Sequence, residues 1–205
     1  MYIIRQVTVH DPEVDQLPSD LLSVLTSQDI EAIRTGPEYF GSIALEHSPD
    51  WLKKILKQCA EDSFHLEFIS QNGDPLRPYF RFDWGGSPAI SLPRPKPLRS
   101  DLPSFLRELY QVIGAFNENG FDYAGGLFSG HLLDPISETE IWVDPENKVD
   151  PTTAIPFLDT LSGSQLCYLT GGGGAWLKAG KFHLVKNLEA EVASYFEALL
   201  DGKRI

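Results

Sequence analysis

Between residues 92 and 99 the chain reads Leu92-Pro93-Arg94-Pro95-Lys96-Pro97-Leu98-Arg99, and this stretch limits its folding most tightly. Each proline fixes φ, lacks an N–H and pushes the residue before it toward extended backbone. Three alternate prolines therefore forbid a helix and favour a polyproline-II course. The segment reads as a semi-rigid connector in preference to a docking peptide for an SH3-like groove. As a connector it divides the chain into 1–91, an N-terminal α/β extension or subdomain, the linker 92–100, and a domain over 101–205.

Before the connector, Tyr2 to Val9 is β-rich and alternates toward its end, which predicts a strand. Leu21, Leu22, Leu25, Ile30 and Ile33 recur at helical spacing, so one helix or two short ones run between Pro18 and Arg34. Ser48-Pro49-Asp50 is a helix start, with Ser48 as N-cap and Pro49 in the first helical position. Trp51, Leu52, Ile55, Leu56 and Cys59 then share one side. Phe64–Phe68 and Tyr79–Trp84 alternate around the turn residues Gln71 to Asp74, a hairpin with a longer loop.

After the connector, Ser100 or Asp101 caps a helix running to about Phe116, ended through Asn117 to Gly120. Strands are expected at 126–133, 139–143, 153–158, 165–169, 174–178 and 181–185, and a last helix from Leu188 to Leu200. The class is α+β, a central and mostly antiparallel sheet flanked by helices.

Charge sets the function classes aside in turn. The formal net charge is −12. Such a surface repels a phosphate backbone and anionic lipid alike, and it suits a basic protein partner whose approach it steers. Neither a signal peptide nor an apolar run of membrane-spanning length is visible, so the cytoplasm is the expected compartment. Cys59 and Cys167 lie far apart, within apolar patterns, and read as buried thiols.

Motifs for chemistry fail on spacing. Gly171 to Gly174 lacks the Lys-Ser/Thr of a phosphate loop and is read as a flexible β-turn. His10, His47, His65, His131 and His183 are scattered, with no metal-ligand spacing, and His65 is placed on the outer side of its strand. Phe128-Ser129-Gly130 misses the nucleophile elbow by one residue on each side. No cofactor is implied. One segment concentrates charge: Asp134, Glu138, Glu140, Asp144, Glu146 and Asp150 stand against Lys148 alone, without the spacing of a calcium loop. These carboxylates are either merely solvated or form a recognition surface for a basic protein, and they are the candidate partner-binding residues.

Leu102-Pro103-Ser104-Phe105-Leu106-Arg107-Glu108-Leu109-Tyr110, followed by Ile113-Gly114-Ala115-Phe116-Asn117, resembles a helix and Gly-Ala-Phe-Asn turn of the SUKH superfamily. Ile155-Pro156-Phe157-Leu158 with Ser162 to Tyr168 is similar to its strand pair, and Ala193 to Leu200 to its closing helix. Ser164 stands where that family commonly has Asp, and the four glycines replace a more compact turn. The resemblance covers about half of the chain, from residue 101 onward, and leaves residues 1–90 outside it. It implies a SUKH-like fold, no cofactor, and binding as the activity. In bacteria it implies an immunity protein that neutralises a cognate toxin, often a nuclease. A housekeeping regulator or scaffold of the same fold stays open beside it. So does an enzyme assembled from dispersed residues such as Asp134, Glu138 and His131.

Overall fold

A meander of ten strands organises the molecule, each strand pairing antiparallel with the next in sequence. The computed structural model describes residues 4–44, 46, 48–71, 76–84, 87–117, 125–130, 133–139 and 141–201. Before the proline-rich segment come β1 (Ile4–Val9), β2 (Phe64–Gln71), β3 (Arg77–Phe82) and β4 (Ala89–Ser91). After it come β5 (Ala115–Asn117), β6 (Gly126–Leu127), β7 (Ala154–Asp159), β8 (Gln165–Leu169), β9 (Gly174–Lys178) and β10 (Lys181–Val185). Six α-helices are described: α1 (Ser19–Leu22), α2 (Ser27–Thr35), α3 (Glu38–Ser42), α4 (Asp50–Ala60), α5 (Ser104–Val112) and α6 (Leu188–Leu200). The class is mixed α+β with the sheet dominant.

Local chemistry accounts for several boundaries. The apolar pattern from Pro18 to Arg34 becomes two helices because Thr26 caps α2. Its hydroxyl accepts from the Asp29 N–H at 3.2 Å, and the Asp29 carboxylate accepts from the Thr26 N–H at 2.7 Å. At the start of α4 the N-cap is Pro49 in extended conformation, one residue later than expected, so Ser48 lies outside the helix. Likewise α5 starts after Pro103, and neither Ser100 nor Asp101 caps it. Asp101 is taken up by Arg99, at 2.9 and 3.0 Å. The helix stops at Val112 and not near Phe116, because Ala115–Asn117 enter the sheet as β5. Gly114 permits that entry. A Cβ on it would stand 2.4 Å from the Leu92 carbonyl oxygen, so only glycine lets the chain pass the end of β4.

Alternation along β7–β10 separates two apolar layers. Ile155, Phe157, Leu166, Tyr168, Trp176 and Val185 face the main core with the helices, whereas Ala154, Cys167, Leu177 and Phe182 face a smaller cluster closed by Ile136, Val143 and Val149. Burial on both sides explains why Ala154 to Leu158 are all buried. On the helix side, Trp51 of α4 stacks on Phe196 of α6 at 4.5 Å between ring centroids, and Phe116 meets Phe196 edge-on at 5.2 Å. Phe40 of α3 packs edge-on against Phe64, Phe80 and Phe82. Cys59 and Cys167 are buried free thiols, and burial pushes each up to about 12.

The proline-rich stretch contains no helix and is pinned on the body of the protein. Leu92 is buried, the Arg94 guanidinium donates to the Asp29 carboxylate at 2.7 Å, and Arg99 donates to the Leu133 carbonyl at 3.1 Å. Two expected strands shrink. Residues 126–133 give only Gly126–Leu127, and 139–143 form no strand at the described positions. The turn at Asn72 to Asp74 falls outside the described residues.

Phe196→Ala should lower the unfolding free energy by about 3–5 kcal/mol, read from urea or guanidinium titration, because it removes a ring shared by three packed elements. A loss under about 1 kcal/mol contradicts the packing described. Asp159 gives a pH test. Burial raises its carboxyl to about 6, and its Oδ1 is buried without a partner, as is Oε1 of its cross-strand neighbour Gln165. The folded chain therefore keeps a proton that the unfolded chain has released. Stability is full below the ordinary carboxylate value and declines as pH rises through about 6. Asp159→Asn should remove this decline and stabilise the protein at pH 7 by about 1–3 kcal/mol.

Candidate functional site

The segment after Leu133, up to Pro151, closes the smaller apolar cluster with Ile136, Val143 and Val149, whereas Leu133 itself joins the main core. Those three side chains enter the cluster, and the described carboxylates are left for the rim. Asp134, Glu138, Glu146 and Asp150 are exposed, and Asp144 is half-buried, with 20% of its side chain open. Glu140 and His131 lie outside the described residues.

Two of the five described carboxylates hold the loop together. Asp144 Oδ1 accepts the Glu146 N–H at 2.9 Å, and Asp150 Oδ1 accepts the Thr152 N–H at 2.9 Å. Both are Asx turns. The Thr152 N–H also keeps the Asp150 carboxyl below the ordinary range. Asp144 lies 3.7 Å from the Lys181 ammonium, a surface pair of small energy. No such bond occupies Asp134, Glu138 or Glu146 among the described residues, so their charge is turned to solvent.

Asn147 ties this loop to the sheet. Its Nδ2 donates to the carbonyls of Asp144 at 2.7 Å and Gly180 at 2.8 Å, and its Oδ1 accepts the Phe182 N–H at 2.9 Å. The Asp144 N–H adds a bond to the Gly180 carbonyl at 2.9 Å. Three hydrogen bonds thus clamp the loop to Gly180 in the β9–β10 turn and to Phe182 of the edge strand β10, and the fourth, to Asp144, stiffens the loop itself. Sequence reading passed over Asn147. An Asn between turn residues carries no sign of a partner more than thirty positions away.

Apolar exposure beside the carboxylates was also missed. Trp142 is 66% exposed and Leu184 72%, the two highest values among large hydrophobic residues described. The Trp142 ring lies against the β9–β10 turn, where a Cβ at Gly180 would come within 2.2 Å of it.

Elsewhere some of the polar groups are tied up in structure. Arg81 donates to Glu67 at 2.5 Å, both nearly sealed from solvent. His65 does lie on the strand side opposite Phe64, Leu66 and Phe68, but it is half-buried there: its Nε2 is 3.5 Å from Glu67 and its ring is 5.2 Å from that of His10. A cavity of about 270 Å³ sits under the proline-rich segment, lined by Arg94, Lys96, Tyr110 and Gln111 among others. Neither Asp134 nor Glu138 lines it. Among the described residues no group of three or more His, Cys, Asp or Glu is placed to hold a metal ion, and no helix is long and apolar enough to cross a membrane. The chain matches no protein-family model, no curated protein and no solved structure.

Asn147→Ala removes the clamp without touching a carboxylate. The Phe182 amide should then exchange with deuterium about tenfold faster or more. Unchanged protection at Phe182 contradicts the clamping role.

Proposed function

We propose that this chain is an immunity-type binding protein that neutralises a cognate bacterial toxin through its acidic surface. The observation that carries the reading is the presentation of the carboxylates: Glu138, Glu146 and Asp134 stand exposed on a segment that Asn147 and two Asx turns fix to the sheet. A held loop loses little conformational entropy on docking, and charge fixed in place steers a basic partner. The chain's charge of −12 acts in the same sense.

The SUKH resemblance supports the same reading. It rests on the stretch forming α5, Gly114 and β5, on β7 and β8, and on the last helix. A toxin that acts on nucleic acid has a basic groove, and an acidic protein seated in that groove blocks the phosphate backbone. In this reading the protein works in the cytoplasm of the cell that makes the toxin, needs no cofactor and turns over no substrate.

The test is kinetic and requires the cognate basic protein from the same cells. Reversing Glu138 and Glu146 to Lys should slow association about tenfold at low salt, with the difference shrinking as salt approaches about 0.5 M. These two are chosen because Asp144 and Asp150 hold turns, so their replacement would confuse steering with loop damage. Equal association rates and an equal salt slope contradict the assignment.

A further inference from the structure

Side-chain parity along β10 sorts charge from apolar surface. Cross-strand partners share a face, so Lys181 with Lys178, and His183 with Trp176, lie on the helix side, where the Trp176 indole donates to Glu191 of α6 at 2.9 Å. Phe182 with Leu177, and Leu184 with Ala175, lie on the other side, beside the acidic segment. Half-buried Phe182 therefore stands between Trp142 at the Gly180 turn and exposed Leu184, and the three make an apolar stripe along the strand. Exposed residues of this size on an edge strand are an aggregation hazard unless something covers them.

Backbone parity adds a second property to the same place. The Phe182 N–H points outward, since it donates to Asn147. In an antiparallel strand the N–H and C=O of residue i+2 point the same way, so Leu184 also turns both groups to the outer edge. The Asn147 clamp ends at Phe182, and among the described residues none hydrogen-bonds the outer edge at Leu184, which is 72% exposed.

We propose that the outer edge of β10 at Leu184, with the stripe running to Trp142, is the seam into which an extended, Lys/Arg-rich strand of another protein docks. That strand pairs its backbone with Leu184 and lays its apolar side chains along Leu184 and Trp142, while Asp144 and Glu146, held beside the Gly180 turn, face its cations. Charge decides the occupant. The 134–150 segment carries six acidic residues against one lysine; Lys178 and His183 of the β9–β10 ladder lie on the opposite face, and the Lys181 ammonium is already paired with Asp144 at 3.7 Å. A second copy meeting this edge about a two-fold axis would set Asp144 and Glu146 near their own equivalents, so self-association is disfavoured. This inference rests on the binding function proposed above and specifies its anchor: apolar contact and backbone pairing set residence time, and the carboxylates set the approach rate.

The test uses the full chain and three synthetic twelve-residue peptides: alternating Lys-Leu, alternating Glu-Leu, and all-Lys. Amide and indole shifts are followed by NMR. Lys-Leu should bind and move the Leu184 amide and the Trp142 indole. All-Lys should bind at least tenfold more weakly, Glu-Leu not at all, and Leu184→Asp or Trp142→Ala should cost Lys-Leu tenfold or more. Both sites are largely exposed, so an unchanged thermal midpoint verifies that the variants fold. The seam is overturned by equal binding of all-Lys, by no binding of Lys-Leu, or by a Leu184→Asp variant of unchanged affinity. It is overturned too if the free chain sediments as a dimer that Leu184→Asp splits. A basic partner from the native cells that binds Leu184→Asp normally refutes the seam and leaves the immunity reading standing. Lys-Leu binding through Leu184, with no toxin recognised in those cells, does the reverse.

Discussion

The stack of Trp51 on Phe196 holds together parts of the chain that the sheet alone joins thinly. The three strands in the middle of the meander are short, with three residues in β4, three in β5 and two in β6. So few ladder bonds make a weak seam. What spans it is the helix layer: α4 from before the proline-rich segment packs on α6 from the far end, and Phe116 of β5 fits edge-on beneath them. Hydrophobic burial therefore joins first and last parts, and the central strands follow. Gly114 and Gly126 allow these strands to pair closely. A Cβ at Gly126 would stand 2.0 Å from the Phe116 carbonyl oxygen, and its φ of +128° lies where glycine alone is unstrained.

With the helices on one face, the other face needed a different cover. Over β7–β10 that cover is the acidic segment, whose Ile136, Val143 and Val149 provide the apolar underside. The carboxylates consequently divide by physical role. Asp144 and Asp150 spend lone pairs on turn N–H groups, and Asp134, Glu138 and Glu146 keep theirs for solvent or a partner. Counting charges along the segment treats all of them alike. The geometry separates those that build the platform from those presented on it.

How far the sequence could be read follows from the range of the interactions involved. Periodic elements with local signals were legible: β1, α4, the β2–β3 hairpin, β8, β9, β10 and α6 all form where alternation or helical spacing placed them. The glycine run at 171–174 was legible as a turn, and Gly172 and Gly173 take the positive φ it needs. The missed strands β4 and β5 are three residues each, too short for a period to show. The strand expected at 139–143 does not form at the described positions, where Val143 packs on the sheet from a loop and Ile141 and Trp142 stay exposed. Of the site, the carboxylates were visible by composition. Asn147, Trp142 and Leu184 were not, since each depends on contacts or exposure that only the fold creates.

Hydrogen–deuterium exchange of the chain, alone and with the proposed basic partner bound, is the decisive measurement for this surface. The account predicts new protection over 141–150 and 181–186, with exchange in β1–β3 unchanged. Protection confined to β1–β3 or to the proline-rich segment, with 141–150 exchanging as in the free chain, would contradict it.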